Sequence, residues 1–167
     1  MLMTVWPVDS LSGGGMEAMD HRDGLSPAQR AYAKAFYPVF EGTKVVLLRV
    51  AASMILWTQG SASTEDLVDA LRLSLDEMRR IQDTWTAFVS AYERRYGPDD
   101  HAVTGEITVV TSTVAALRHV VDGASHGSHE DKERAHALMG RLAACHGALR
   151  RSALALWPLE LMAETCV

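Results

Sequence analysis

The sequence predicts a mainly α-helical single domain that ends in a long C-terminal helix. Over most of the chain after residue 25, apolar residues recur at the three- and four-residue spacing of amphipathic helices. Helix starts are marked by a serine followed three positions later by an acidic or amide residue. These pairs are Ser26 and Gln29, Ser63 and Asp66, and Ser74 and Glu77. A length of 167 residues fits one domain with a substantial core.

Composition and charge narrow the classes of function. Apolar residues make up 48% of the chain and charged residues 22%, as in an ordinary folded protein. The formal net charge of -5 argues against indiscriminate nucleic-acid binding, because neutralising phosphates requires a basic surface. The net charge does not exclude a local basic patch. Two cysteines are too few for a disulfide framework, and the N-terminus lacks a signal-peptide pattern, so we expect a cytoplasmic protein.

The chain divides into a leader and one domain. Residues 1–24 contain a run of three glycines and no sustained periodicity, which predicts a flexible leader. Residues 25–167 form the domain, and its first helix opens at Ser26, with proline at the first helical position. Pro38 should bend or end this helix, because proline removes a backbone hydrogen bond.

A strongly apolar helix is expected next, from Gly42 to about Gln59. Its most apolar part, residues 45–57, is interrupted by Arg49 and is too short to span a bilayer core of about 30 Å. We therefore expect a buried helix and no association with a membrane.

The sequence pattern of residues 63–96 predicts a helix-turn-helix. A short helix begins after Ser63, a break follows at Leu73, and a second helix begins at Ser74 and continues until Gly97 stops it. Apolar residues occupy the positions that would lock the two helices together. They are Leu67, Leu71, Leu73, Met78 and Ile81.

The segment 105–114 supports two alternatives. Its density of β-branched residues favours a strand, which would belong to a short β-hairpin at 97–111. However, a set of apolar residues falls on one helical face, which favours a helix. That set is Ile107, Val110, Val114, Leu117 and Val121. Both alternatives remain open at this point.

The last element is a long helix from Ser128 to Trp157. One apolar stripe consists of Ala135, Leu138, Leu142, Cys145 and Leu149. An opposite stripe of mostly small residues consists of His136, Gly140, Ala143 and Gly147. A helix with two such faces packs between two neighbours, and we expect one neighbour to belong to a second subunit of a homodimer.

From Val45 to about Thr111, the order of features resembles the winged helix-turn-helix regulators of the MarR (multiple antibiotic resistance regulator) family. Gly60 corresponds to the turn before the support helix, Ser74 to the start of the recognition helix, and 97–111 to the wing. The resemblance implies a dimeric transcription regulator that binds double-stranded DNA. The DNA-binding residues expected from it are Ser74, Arg79, Arg80, Gln82, Arg94 and Arg95.

A second hypothesis is a non-enzymatic helical-bundle adaptor that binds a protein partner. Arg72 stands at the turn position where the family has a glycine. Asp76 and Glu77 would meet DNA phosphates with the wrong charge, at the start of the recognition helix. In this alternative, residues 63–81 form a helical corner of an all-α bundle.

The histidine-rich end of the chain supports a third hypothesis. Residues 134–140 resemble a histidine-phosphotransfer motif, in which His136 would be the phosphoacceptor and Gly140 would permit close docking.

His129, Glu133 and His136 share a helix face, but they are too few to define a metal site, so we expect no metal and no cofactor. The chain lacks a glycine-rich phosphate loop, a CxxC pair and a serine nucleophile elbow, and we expect no catalytic residues and no enzyme.

Overall fold

Four long α-helices make up the described part of the chain. The structure is a computed structural model that describes residues 26–99, 102–123 and 129–156. The helices are α1 (Pro27–Thr58), α2 (Thr64–Tyr96), α3 (Val103–Asp122) and α4 (His129–Leu156). No residue in the three described ranges belongs to a β-strand. The prediction of a mainly α-helical chain is confirmed, whereas the leader expected at 1–24 lies outside the described residues.

The helices pack as a ring in which each one contacts two neighbours. α1 packs against α2 and α4, and α3 packs against the same two helices. At one end of the α1–α2 pair, Trp57 Nε1 donates to Thr64 Oγ1 at 3.2 Å. At the other end, the ring centroids of Tyr32 and Tyr92 are 5.3 Å apart. α1 and α2 are thus antiparallel, and so are α2 and α3, where Gln82 contacts Thr108 and Trp85 contacts Thr104, as short connections require in an up-down bundle. Within the described ranges, no helix is long and apolar enough to cross a membrane.

One apolar stripe from each helix forms the core. The largest fully buried side chains are Trp85, Tyr32, Phe36, Leu67, Leu71, Met78, Ile107, Leu117, Leu142, Leu149, Val46 and Val50. These residues come from all four helices at helical spacing, so the bundle interior is one continuous apolar layer.

Two of the three predicted capping boxes are present. At the start of α1, Ser26 Oγ accepts from the Gln29 amide at 3.2 Å, and Gln29 Oε1 accepts from the Ser26 amide at 2.8 Å. At the start of α2, Ser63 Oγ accepts from the Asp66 amide at 3.0 Å, and Asp66 Oδ2 accepts from the Ser63 amide at 3.0 Å. The hydrogen bonds from Ser63 lower the pKa of Asp66.

α1 is one continuous helix, so the new helix expected at Gly42 is wrong, and of the bend or end expected at Pro38 the end does not occur. Pro38 lies inside α1 without ending it. A helical proline removes one backbone hydrogen bond and crowds the carbonyl of the residue four positions earlier, here Lys34. Both residues are exposed, so water reaches that side of the helix. Phe36 and Val39 are buried on either side of the proline, and their packing holds the helix together.

α2 is also continuous, so the expected break at Leu73 and the expected second N-terminus at Ser74 are wrong. Ser74 is fully buried inside the helix, and its Oγ has no hydrogen-bond partner among the described residues. Leu71, Leu75 and Met78 are buried on the same side, which carries the core stripe through the position of the expected turn. The described residues therefore contain no helix-turn-helix at 63–96.

The segment at 105–114 is part of α3, which decides between the two alternatives in favour of a helix. All five residues of the predicted helical face are fully buried between α2 and α4. The hydroxyls of Thr108, Thr111 and Thr113 donate to backbone carbonyls one turn earlier. These β-branched residues therefore satisfy their hydroxyl groups within the helix. The wing expected at 97–111 is not formed: within it, residues 97–99 and 102 form no strand and residues 103–111 are helical.

α4 confirms the long C-terminal helix over His129–Leu156 and its apolar stripe, while the expected end residues, Ser128 and Trp157, lie outside the described residues. Ala135, Leu142, Cys145 and Leu149 are buried, and Leu138 is half-buried. The opposite stripe of small residues faces outward: His136, Gly140 and Ala143 are exposed and Gly147 is half-buried. No other described helix covers that stripe, and the second subunit expected there stays a prediction.

Candidate functional site

The structure does not gather the six residues predicted to bind DNA into one reading surface. Ser74 is buried in the core and cannot reach a base or phosphate. Gln82 lies at the contact between α2 and α3, where its Nε2 donates to Thr108 Oγ1 at 3.4 Å. The four arginines are exposed, but Arg79 and Arg95 are separated by 16 positions, or about 24 Å of helix.

Two of the five arginines of α2 form ion pairs with acidic residues three positions earlier. Arg79 Nη1 lies 3.6 Å from Asp76 Oδ1, and Arg72 Nη2 lies 3.2 Å from Asp69 Oδ1. Along the whole helix, seven acidic residues accompany five arginines. The surface of α2 is thus of mixed charge, and it lacks the concentration of positive charge that phosphate binding requires.

The histidines of α4 do not form a metal site in the described ranges. His129 Nε2 lies 3.2 Å from Glu133 Oε1 at the exposed start of α4. Within the part of the chain that the structure describes, no three His, Cys, Asp or Glu residues converge as metal ligands. His136 is exposed on the outward side, as a phosphoacceptor would have to be. His146 instead stacks on Phe40, with ring centroids 6.2 Å apart.

A solvent-exposed apolar stripe runs along the second half of α1. We define the α1 outer face as Val45, Leu48, Ala52, Ile55 and Leu56. The four large side chains are 48%, 62%, 54% and 47% exposed, and Ala52 is exposed as well. Spacings of three and four positions place these residues on one side of the helix. A contiguous exposed apolar patch is typical of an interaction site, whereas scattered apolar residues are not.

The opposite side of the same helical segment is the core side. Val46 and Val50 are fully buried and Met54 is 6% exposed, between α2 and α4. The prediction that the apolar segment is a buried helix therefore holds for one side only. Sequence patterning missed the α1 outer face because this segment is apolar all around the helix.

Leu73 extends the α1 outer face onto α2. It is 58% exposed and lies one turn before Glu77, whose Oε2 is 2.7 Å from Arg49 Nη1 of α1. Because α1 and α2 are antiparallel, moving back one turn along α2 corresponds to moving forward one turn along α1. Leu73 therefore lies beside the stretch of α1 near Ala52.

The α1 outer face carries no unpaired charge. Arg49 is the one charged residue between Val45 and Leu56, and its guanidinium forms the 2.7 Å ion pair with Glu77. Both side chains are partly exposed, so the pair adds little stability. Its main consequence is that the patch has no net charge.

At the other half of α1, the aromatic residues of α1 and α2 form one cluster. We define the aromatic cluster as Tyr32, Phe36, Phe40, Trp85, Phe88, Tyr92 and Tyr96. Tyr32 packs edge-on against Trp85 with ring centroids 5.2 Å apart, and Phe36 lies 5.7 Å from the same ring. Trp85 Nε1 donates to Thr104 Oγ1 at 3.0 Å, which connects the cluster to α3. Such aromatic contacts stabilise a core beyond the area they bury.

Tyr32 stays protonated at alkaline pH. Its side chain is fully buried, and its hydroxyl donates to Asp99 Oδ2 at 3.3 Å. Burial disfavours the charged tyrosinate, and the negative charge of Asp99 disfavours it further, so the pKa of Tyr32 is raised well above its usual value. Burial also raises the pKa of Tyr92, more than its neighbours Asp99 and Tyr96 do.

The raised pKa of Tyr32 predicts a loss of stability at high pH. Above about pH 10 the unfolded chain releases this proton and the folded chain keeps it. The unfolded state then binds one proton fewer, so the free energy of unfolding falls by up to about 1.4 kcal/mol per pH unit. We expect urea unfolding between pH 9 and 11.5 to show a shallower decline for Tyr32→Phe than for the wild type. Equal slopes would contradict the assignment.

Within the described residues, the α1 outer face gathers four of the eight large apolar side chains that are exposed, and the aromatic cluster holds α1 and α2 together at the other end of the pair. The α1 outer face occupies the half of α1 near the turn to α2, and the cluster occupies the other half.

Comparisons of the chain with protein-family models, with curated proteins and with solved structures found no match.

Proposed function

We propose that this protein is a helical-bundle adaptor that binds a protein partner on the α1 outer face. The observation that supports the proposal is the row of large apolar side chains, each about half exposed, on one side of Val45–Leu56. Keeping such a row in water is unfavourable, and covering it with another apolar surface removes that cost. The proposal includes no catalytic step.

A protein surface suits this face better than DNA does. The patch is apolar and its one charge is already paired, so it offers nothing to phosphate groups. DNA binding by Arg79, Arg80, Arg94 and Arg95 remains an alternative hypothesis, but its support is weaker. The continuous α2 leaves no separate recognition helix, and Arg79 is paired with Asp76.

Site-specific photo-crosslinking tests the proposal. A photoreactive phenylalanine analogue at Leu48 should give discrete covalent adducts with protein when the chain is irradiated in its native cells. The matched control is Leu154, which is also 62% exposed but lies on α4 away from the α1 outer face. We expect adducts at Leu48 and none at Leu154.

Two results would count against the adaptor hypothesis. One is an absence of protein adducts specific to position 48. The other is a salt-dependent gel shift with promoter DNA that the double variant Arg79→Ala, Arg80→Ala abolishes, since each lost phosphate contact lowers affinity and flattens the salt dependence.

A further inference from the structure

We infer that the partner on the α1 outer face is a second copy of this chain, packed antiparallel about a twofold axis near residue 50. The inference rests on the proposed function, because it names the occupant of the same surface.

Four of the five residues of the α1 outer face are placed symmetrically about residue 50, whereas the counterpart of the fifth, Leu56, is Lys44. Val45 and Ile55 lie five positions on either side, and Leu48 and Ala52 lie two positions on either side. In an antiparallel pair of helices, Val45 therefore faces the partner's Ile55, and Leu48 faces the partner's Ala52. A large side chain meets a small one in each central layer, which is the complementarity that close helix packing needs. A twofold interface must match itself in this way.

The charges around the stripe permit the same pairing. Arg49 is neutralised by Glu77 of its own chain, so two copies meet without burying an unpaired charge. At the ends of the stripe, Glu41 and Lys44 form an ion pair within one chain at 3.2 Å. In the twofold pairing Glu41 faces the partner's Gln59 and Lys44 faces the partner's Leu56, which opposes no like charges. An acidic or a basic partner would find no complementary charge on this face.

The size of the patch predicts a weak dimer. Together with Leu73, the exposed apolar residues present an area on the order of 500 Å², comparable to the largest apolar patch of a typical monomer. A stable specific interface buries about 800 Å² on each partner. Flanking residues must contribute the remainder, and we expect a dimer that dissociates at micromolar concentration.

Sedimentation equilibrium over a concentration series tests the inference with purified protein. We expect a reversible monomer–dimer equilibrium for the wild type. Leu48→Glu should weaken dimerisation by about 100-fold or more, because the dimer would bury two unpaired carboxylates. Leu154→Glu changes an equally exposed leucine outside the patch and should leave the dimerisation constant within about twofold.

Gly147→Leu separates this interface from the small-residue stripe of α4. Among the described residues, a Cβ atom at Gly147 meets only Arg151 Nη1, at the ordinary contact distance of 3.6 Å, so we expect the bundle to accept the substitution. Dimerisation should be unaffected. If Gly147→Leu dissociates the dimer and Leu48→Glu does not, the interface lies on α4 and the inference is overturned.

A charge-rescue experiment tests the antiparallel arrangement directly. Leu48→Glu and Ala52→Lys should each be monomeric alone, at concentrations where the wild type is dimeric. Mixed together, they should form a heterodimer, because Glu at 48 of one copy faces Lys at 52 of the other while the second central layer stays native. A parallel pair brings no such residues together, so failure of the mixture to associate overturns the arrangement.

The outcomes distinguish the inference from the proposed function. A wild type that stays monomeric at every concentration overturns the inference. Adducts of the Leu48 photoprobe with a different protein would then still support the adaptor, whereas an absence of adducts would remove both.

Discussion

Replacing Trp85 with alanine is expected to lower the free energy of unfolding by about 3–5 kcal/mol, the usual cost of truncating a buried tryptophan. Trp85 is 1% exposed and contacts aromatic rings on both α1 and α2. The substitution leaves a cavity between the helices. It also leaves Thr104 Oγ1 without its donor in α2. Equilibrium unfolding in urea measures the loss, with an unchanged m-value showing that the unfolded state is comparable.

Two controls separate cluster packing from other effects. Tyr96→Ala removes a ring that is 38% exposed and lies 5.0 Å from Tyr92, so its loss should be about 1 kcal/mol. Thr104→Val removes the hydrogen bond from Trp85 and should also cost about 1 kcal/mol. A loss below about 1 kcal/mol for Trp85→Ala would show that the aromatic cluster does not hold the bundle together.

Replacing Leu73 with proline is expected to destabilise the protein by at least about 3 kcal/mol. Residue 73 lies in the middle of α2, where its amide bonds the carbonyl of Asp69 in a continuous helix. Proline removes this bond and its ring clashes with the preceding turn. Helicity by circular dichroism and urea unfolding measure the effect.

Leu73→Ala is the matched control, because it removes the same exposed side chain and keeps the backbone amide. Alanine favours helices, so this variant should change the free energy of unfolding by less than about 0.5 kcal/mol. If Leu73→Pro were equally mild, the chain would tolerate a break at this position. The helix-turn-helix expected at 63–96 would then regain its support.

The serines at 63 and 74 show why part of the fold was not predictable from local signals. The pairs Ser63–Asp66 and Ser74–Glu77 have the same spacing, yet only the first caps a helix. A capping box forms when the chain before it leaves the helix, and core packing of Leu71 and Met78 holds the backbone helical at 74. Tertiary packing, and not the local sequence, therefore decides which of the two serines caps a helix.

The segment 105–114 illustrates the same competition with a different outcome. β-Branched residues favoured a strand, while the positions of Ile107, Val110 and Val114 favoured a helix. Burial of all three between α2 and α4 stabilises the helical periodicity, because a strand would turn alternate residues away from the core. Where a whole helical face is buried, intrinsic β-propensity contributes less than the burial of that face.

The candidate site was less predictable than the fold. The exposed arginines could be named from the sequence, but the ion pair of Arg79 with Asp76 emerged only with the side chains in place. The aromatic residues of α1 and of α2 recur at helical spacing. Their meeting in one cluster depends on the antiparallel register that brings Tyr32 to Trp85.

The sequence by itself determined that the chain is helical, where α1 and α2 begin, and which stripe of α4 is buried. Capping and periodicity decide these features within a few residues. Only the tertiary structure decided that α2 is unbroken and that Val45–Leu56 has an exposed side. This segment is apolar all around, and in a ring of four helices α2 and α4 cover only its inner side. The α1 outer face is exposed because of that geometry.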